Sequence, residues 1–267
     1  MANLRYIQSI HEPLERRNPD THVRHFLPLS ERWRMSRLGR TELAELRATP
    51  FYYYLLARTR YYDDVLTAAV SDGIGLFANI GCGTDTRAYR FRRVLRSAGV
   101  TCLECDQAEA LDAKRRMIKW RHRLDNVAYL PIDLNDGAWP PFEERVEESA
   151  GRRVFVMMEG VSPYIDESSF ALFLHLLGRS LPAGSRVAYD FKVRGVNDDF
   201  GGTERTREPF RIPRERDAVA AFHEAHGLRL DRIESSAELV ARLVPGVSDS
   251  GAPVFDEDAL IQLTVVG

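Results

Sequence analysis

Two glycines separated by one residue follow a short apolar stretch, within residues 79–87 (NIGCGTDTR). Because glycine has no Cβ atom, the backbone of such a turn can approach a ligand closely, beside the positive end of the following helix. A complete dinucleotide-binding fingerprint would have a third glycine at position 86, where this sequence has Thr86. The turn around Gly81 and Gly83 therefore predicts a ligand site, with a tight connection that binds nothing as the alternative.

An acidic residue follows the next apolar stretch, 23 positions after Gly83. At the carboxyl end of a second strand, the carboxylate of Asp106 can accept hydrogen bonds from both hydroxyls of an adenosine ribose. Glu104 lies two residues earlier on the same face, but Asp106 is nearer the strand end, where sheets of this kind hold their ligands. The alternative role for Asp106 is to cap the helix that begins after it.

These residues have to be positioned by a sheet whose strands alternate with helices. Beyond the glycine turn, apolar stretches with strand-like patterns alternate with stretches of helical periodicity. This alternation predicts an α/β fold with a parallel sheet. Residues 73–80 are predicted to form a turn that leads into a short buried strand. The other predicted strands are 100–105, 127–130, 154–158, 186–191, 228–233 and 260–266, and the predicted helices are 109–120, 168–181 and 217–226.

The first forty residues mix Arg, His, Pro and aromatic residues without strand alternation, which predicts short helices that cover the sheet. A helical pattern begins at Thr41, and Pro50 is expected to divide it into two helices. We expect one compact unit, in which residues 1–50 form an N-terminal helical cap and residues 51–267 form the sheet domain. Residues 195–213, rich in Gly, Asp and Arg, are the best candidate for a mobile loop.

Composition excludes several classes of function. The fractions of 44% hydrophobic and 28% charged residues are ordinary for a globular protein, and the net charge of −2 does not favour nucleic acid. The basic stretch 114–123 also contains apolar residues, and it fits the solvated face of an amphipathic helix.

No apolar run is long enough to cross a bilayer, so a cytoplasmic location is expected. No cluster of carboxylates or cysteines accompanies His22 and His25 in the same segment, so no metal site is predicted.

The three cysteines, Cys82, Cys102 and Cys105, are too few for a disulfide framework. Residues three apart on a strand point to opposite faces of a sheet, so Cys102 and Cys105 cannot share a metal ion or a disulfide. Buried structural cysteines are the prediction.

A longer motif makes a family resemblance specific. Residues 81–90 (GCGTDTRAYR) resemble the GxGxDTRxxR signature of the leucine carboxyl methyltransferase family, whose bacterial members include polyketide O-methyltransferases. The similarity continues, in the family's order, through residues 57–61 (ARTRY), 103–107 (LECDQ), 131–134 (PIDL), 159–164 (EGVSPY) and 184–190 (GSRVAYD). The resemblance implies a Rossmann-like class I methyltransferase sheet of seven strands, mostly parallel with the last strand antiparallel, and S-adenosylmethionine as cofactor.

The resemblance also implies roles for single residues. Asp106 would hold the ribose of the cofactor, and the Asp133 side chain with the Leu134 backbone would meet the adenine. Gly81 and Gly83 would line the methionine portion.

For the methionine end, Arg58 would pair with the cofactor carboxylate, because a guanidinium holds a carboxylate through two hydrogen bonds. Glu159 would face the amino group or the reaction centre. A structural arginine at a helix end and a solvated acid at a strand end are the alternatives. Arg87 and Arg90 are interpreted as structural, with Asp85 or Glu159 as their nearest partners.

The acceptor pocket is expected between the cap and the loop after Phe191, with Tyr164, Tyr189 and Arg194 as candidate substrate-binding residues. The predicted function is O-methylation of a carboxyl or phenolic hydroxyl of a small molecule such as a polyketide. A carboxylate acceptor is already ionised at neutral pH, so no catalytic base is named. The alternatives are an NAD-dependent oxidoreductase and a non-catalytic protein that binds the same cofactor.

Overall fold

The computed structural model of the chain describes residues 1–118, 124–196, 210–247, 251–253 and 255–267. The α-helices among them are α1 (Ala2–His11), α2 (Leu29–Ser36), α3 (Arg40–Arg47), α4 (Pro50–Ser71), α5 (Arg87–Arg90), α6 (Arg92–Ser97), α7 (Ala108–Met117), α8 (Pro140–Glu147), α9 (Glu167–Ser180), α10 (Arg216–Glu224) and α11 (Ser236–Leu243). The strands are β1 (Leu76–Ile80), β2 (Thr101–Asp106), β3 (Val127–Pro131), β4 (Val154–Met158), β5 (Arg186–Val193), β6 (Arg211–Ile212), β7 (Leu228–Ser235) and β8 (Asp258–Val265).

All the strands belong to one sheet, in the order β3-β2-β1-β4-β5-β8-β7, and β6 pairs with β5 beside this path. Every pairing is parallel except those of β8, which runs antiparallel to β5 and β7. The predicted Rossmann-like sheet, with seven main strands and the last one antiparallel, is confirmed. The order reverses between β1 and β4, and in such sheets ligands bind in the crevice at that reversal.

Alternate residues of the central strands face two separate hydrophobic layers, as the period of a strand requires. On β4, Val156 packs into the layer that contains α9, whereas Phe155 packs into the layer that contains α4. The cysteines of β2 follow the same rule: Cys102 lies in the second layer and Cys105 in the first. All three cysteines are free and buried, so the structural interpretation is confirmed.

The N-terminal residues fold into helices, as predicted. Residues 1–50 hold α1, α2, α3 and two 3₁₀ turns. Helix α3 ends at Arg47, and α4 begins with Pro50 in its first turn, where the missing N–H of proline is tolerated. The predicted break at Pro50 is therefore confirmed. Helix α4 is buried along most of its length, because it lies between the cap and the sheet. The division into a cap and a sheet domain stays a prediction.

Two predictions fall partly on residues outside the described ranges. The predicted mobile loop at 195–213 includes residues 197–209, and the predicted helix 109–120 extends past Met117 towards residues 119–123. Two further helices, α8 and α11, were not predicted. Within the described residues, every helix is too short or too polar to cross a membrane.

Helix α9 passes very close to the turn between α10 and β7. A Cβ atom on Gly178, inside α9, would overlap the backbone carbonyl oxygen of His226. Gly227 follows with a φ of 76°, in the left-handed region that glycine adopts without strain. The sequence alone would suggest that Gly178 weakens its helix, whereas the structure shows that it permits the contact.

We predict that Gly178→Ala lowers the free energy of unfolding by about 2–3 kcal/mol, because overpacking against backbone outweighs the helix propensity that alanine gains. Urea denaturation followed by circular dichroism measures the change. Ser168→Ala, at an exposed position of the same helix, is the control and should change stability by less than about 0.5 kcal/mol. A Gly178→Ala protein as stable as the wild type would contradict the close contact.

Candidate functional site

The turn after β1 depends on its two glycines. Gly81 and Gly83 have φ values of 63° and 38°, in the region that other residues rarely adopt. A Cβ atom on Gly81 would also overlap the side chain of Val161, in the loop after β4. The Cys82 N–H donates to the carbonyl oxygen of Cys105 at 3.0 Å, which fixes the turn to the end of β2.

The carboxylate of Asp106 lies directly against this turn. One oxygen, Oδ2, accepts from the Gly83 N–H at 2.7 Å, and the other, Oδ1, accepts from the Gln107 N–H at 2.8 Å. The side chain is only partly buried, and each carboxylate oxygen can accept more than one hydrogen bond. The structure therefore places Asp106 where a ligand at the glycine turn would meet it.

Glu104, the other acid of β2, has a different environment. It is fully buried and forms an ion pair with Lys114 of α7, beneath the glycine turn. Lys114 also donates to the carbonyl oxygen of Cys82 at 3.4 Å. Burial lowers the pKa of Lys114, but the neighbouring carboxylate outweighs it and keeps that pKa above its ordinary value. The Glu104–Lys114 pair lies on the buried side of the glycine turn, and its contacts are with the protein itself. Asp106 is therefore favoured over Glu104 as the ligand-binding acid.

A cavity of about 260 Å³ opens at the carboxyl ends of the central strands. Its wall combines the glycine turn, the ends of β2 and β3, and the loop after β4. Among its lining residues are Gly81, Asp106, Asp133, Leu134, Gly160 and Tyr164. Most of the residues assigned to the cofactor by resemblance are thus brought together around one space.

Asp133 is held in place by the turn that follows β3. Its Oδ1 accepts from the Asn135 N–H at 2.9 Å, and its backbone carbonyl accepts from the indole N–H of Trp139 at 2.9 Å. Leu134 beside it is buried. The loop therefore presents a fixed carboxylate and an apolar wall to the cavity.

Beside the cavity lies a buried network of arginines and acids, centred on Arg87. The Arg87 guanidinium contacts the carboxylates of Asp63 at 2.8 Å and Glu159 at 2.7 Å, and it also pairs with Asp85. Its last nitrogen donates to the Thr59 carbonyl at 3.1 Å. The structural interpretation of Arg87 is confirmed. Arg90 pairs instead with Asp63, through two hydrogen bonds of 2.7 and 2.6 Å.

Charge pairing dominates the pKa values in this network. Burial opposes the charged form of Arg87, but the surrounding carboxylates raise its pKa well above the ordinary value. Burial likewise opposes ionisation of Asp85, yet the charge of Arg87 lowers the pKa of that carboxyl. Arg87 and Asp85 are therefore both ionised at neutral pH.

Arg58 and Glu159 belong to the same network. Arg58 lies 3.2 Å from Glu159 and 3.2 Å from Asp190, and its guanidinium faces Gly160 at the end of β4. Both are paired with protein groups and neither is among the residues that line the cavity. Their predicted contacts with the methionine portion of the cofactor stay predictions.

The sequence assigned no role to Asp190, although it stands in a family-like segment. Its Oδ1 accepts from the Gly160 N–H at 2.7 Å and from the Tyr62 hydroxyl at 2.8 Å. Asp190 therefore connects β5 to α4 and to the loop after β4. Only its place in residues 184–190 could have indicated this.

Of the three candidate substrate-binding residues, only Tyr164 lines the cavity, and it is exposed. Tyr189 is fully buried, with its hydroxyl 2.6 Å from Nε2 of His223. Arg194 is exposed and donates to the carbonyl oxygen of Arg211 at 2.8 Å. The structure does not bring Tyr189 and Arg194 to the cavity, and all three substrate contacts stay predictions.

The helix after the glycine turn is short. Helix α5 has only four residues, and α6 begins after Phe91. A single turn of helix has too few aligned peptide dipoles to act as an anion site. The turn is instead held by side chains, including Arg5 of the cap, which donates to the carbonyl and hydroxyl oxygens of Thr84 at 3.0 and 2.9 Å.

The chain is similar to several known proteins. A family model described as Leucine carboxyl methyltransferase matches residues 1–177. A Frankia alni protein is 31% identical over 139 residues, which cover 51% of this chain and 48% of that protein. A Mycobacterium marinum protein is 34% identical over 137 residues, which cover 50% of this chain and 44% of that protein. The names of both provisionally assign them as S-adenosyl-L-methionine-dependent methyltransferases, and the chain spans about half the length of such relatives.

Solved structures show a weaker likeness. A structure of an S-adenosylmethionine-dependent methyltransferase from Mesorhizobium loti has a TM-score of 0.49 and 11% identity, covering 75% of this chain and 96% of that one. An O-methyltransferase family protein from Burkholderia thailandensis has a TM-score of 0.47 and 14% identity, and the match covers 82% of this chain and 60% of that one.

We predict that Arg87→Met lowers the free energy of unfolding by about 3–5 kcal/mol at pH 7, because it leaves the buried carboxylate of Asp85 without its cation and removes one of the two arginines that Asp63 and Glu159 each contact. Because the pKa of Asp85 is lowered in the folded wild type, its ionised carboxylate stabilises the fold at pH values above the ordinary aspartate pKa. This stabilisation is lost as the pH falls through the lowered pKa. The difference in unfolding free energy between variant and wild type should therefore shrink as pH falls through about 4, because the carboxyl groups become protonated and a neutral carboxyl costs less to bury. Urea denaturation at several pH values measures it.

The control for this prediction is Arg96→Met. Arg96 forms an exposed ion pair with Asp125, and such pairs contribute less than about 1 kcal/mol. Equal effects of the two substitutions, or an Arg87→Met penalty independent of pH, would show that the buried network does not stabilise the fold as described.

Proposed function

The chain belongs to the leucine carboxyl methyltransferase family, and from that premise we propose that it is an S-adenosylmethionine-dependent O-methyltransferase acting on a small molecule. The observation that carries the proposal is the meeting of Gly81, Asp106 and Asp133 around one cavity at the reversal of strand order. A nicotinamide dinucleotide is disfavoured because Thr86 stands in place of the third glycine.

The residues of the cavity fit the adenosine half of this cofactor. The Asp106 carboxylate accepts hydrogen bonds from the ribose hydroxyls. The Asp133 carboxylate accepts a hydrogen bond from the adenine amino group, beside Leu134. Towards the methionine portion, Gly81 and Gly83 leave the backbone of the turn free of Cβ atoms, so that the ligand can approach closely. Polar anchors placed around a partly apolar wall are typical of small-molecule sites.

We assign the methionine half to the adjoining network of Arg58, Glu159 and Gly160. A guanidinium suits the cofactor carboxylate, and a carboxylate suits its amino group. Arg58 and Glu159 are already paired to each other and to Asp190 and Arg87, which holds them in fixed positions. Such positioning lowers the ordering cost of binding.

The cofactor supplies a methyl group bonded to a positively charged sulfur. When bound, it would supply this methyl group to an oxygen nucleophile, while Arg58, Glu159 and Gly160 would hold its methionine end. The protein's own task is to align the acceptor with the methyl group and to exclude water. We propose a carboxyl or phenolic hydroxyl as the acceptor, in a metabolite such as a polyketide.

Calorimetric titration of the protein with S-adenosylmethionine and with NAD tests the cofactor. We expect binding of S-adenosylmethionine alone, and binding of NAD alone would contradict the proposal. Labelled methyl transfer to a panel of aromatic carboxylic acids and phenols, followed by mass spectrometry of the products, then tests turnover. Cofactor binding without transfer to any acceptor would favour a non-catalytic binding protein.

We predict that Asp106→Ala weakens binding of S-adenosylhomocysteine at least about thirtyfold, or ~2 kcal/mol, because the ribose loses its charged acceptor. The loss of the hydrogen bonds from the Gly83 and Gln107 N–H groups should cost about 2 kcal/mol of stability, so the variant still folds. Asp112→Ala, an exposed acid on α7, is the control and should bind like the wild type. Unchanged affinity of Asp106→Ala would show the ribose assignment to be wrong.

A further inference from the structure

One hydrogen bond closes the side of the cavity at which the adenine is proposed to lie. The side-chain amide of Gln107 donates from Nε2 to Oδ2 of Asp133 at 2.9 Å. Gln107 directly follows β2, and Asp133 follows β3, so the bond spans the two loops. The side chain of Gln107 is exposed and does not cap α7. Within the part of the chain that the structure describes, the Gln107 side chain instead bonds to the carboxylate assigned to the adenine.

A second, more open groove lies on the far side of this bond. It has a volume of about 420 Å³, and it shares Gln107, Ile132 and Asp133 with the first cavity. Its outer wall includes Glu109 and Trp139. The two spaces are thus neighbours, and the Gln107–Asp133 hydrogen bond lies on the boundary between them.

Adenine has one exocyclic donor, its 6-amino group, which carries two hydrogens. If one hydrogen is donated to Asp133, the second would be directed towards the boundary at which Gln107 donates to the same carboxylate. A substituent that replaced this second hydrogen would have to enter the groove past Gln107. The groove is large enough, since a cavity of about 150 Å³ already holds a benzene ring.

We propose that the groove is an adenine-side subsite continuous with the cofactor cavity, and that Gln107 determines whether it admits adenosine cofactors substituted at the 6-amino nitrogen. This inference rests on the proposed function. In the wild type, Gln107 and Asp133 together close the boundary and select the unsubstituted adenine. Without the Gln107 amide, cavity and groove form one space, and Asp133 is free to accept from a secondary amine.

The experiment measures Kd by calorimetry for S-adenosylhomocysteine and for its N6-methyl, N6-propyl and N6-benzyl derivatives. For the wild type, we expect affinity to fall with substituent size, by at least about thirtyfold for benzyl. For Gln107→Ala, we expect all four ligands to bind within about threefold of one another. Unsubstituted S-adenosylhomocysteine should bind the variant at least as tightly as the wild type, because Asp133 has lost its competing donor.

Glu109→Ala is the matched control, because Glu109 lines the same groove without bridging to Asp133. It should retain the wild-type discrimination. If Gln107→Ala discriminates as strongly as the wild type, or if the wild type already binds all four ligands equally, the role of Gln107 is overturned while the proposed function stands. If the wild type binds none of the four, the proposed function fails and this inference fails with it.

Discussion

The buried charge of Arg87 is the interaction on which the site depends. One guanidinium contacts carboxylates from α4, from the glycine turn and from the end of β4. An unpaired charge in this position would be strongly unfavourable, because desolvation of an isolated ion costs several kcal/mol. The three elements can therefore pack together only when their acids surround Arg87. The same contacts set the position of Glu159 beside the cavity.

The N-terminal cap is joined to the site through a second set of polar contacts. Arg5 forms an ion pair with Asp20 at 2.9 Å and bonds to Thr84, while the Thr86 hydroxyl donates to Asp20 at 2.5 Å. Since Thr84 and Thr86 belong to the glycine turn, the cap and the turn share one hydrogen-bonded unit. The shape of the turn thus depends on residues that are far from it in the sequence.

Much of the fold was predictable because many of its helices and strands follow local patterns of apolar and turn residues in the sequence. The central strands are short apolar runs bounded by turn residues, and Pro50 fixes a helix start by its own chemistry. Helices α8 and α11 were missed. Their apolar faces are completed by neighbours that the sequence does not reveal, such as the contact of α11 with α4.

The sequence by itself determined the family, the α/β alternation and the residue types of the site, because glycines, strand-end acids and their spacing are local properties of the chain. It favoured Asp106 over Glu104 as the ligand-binding acid by position alone, but it could not show which of the two is neutralised by a buried cation. Glu104 and Asp106 are two residues apart on one strand, yet one pairs with Lys114 in the interior and the other meets the glycine turn. Only the tertiary structure made that distinction, since the pairing of a buried charge depends on which distant elements pack against it.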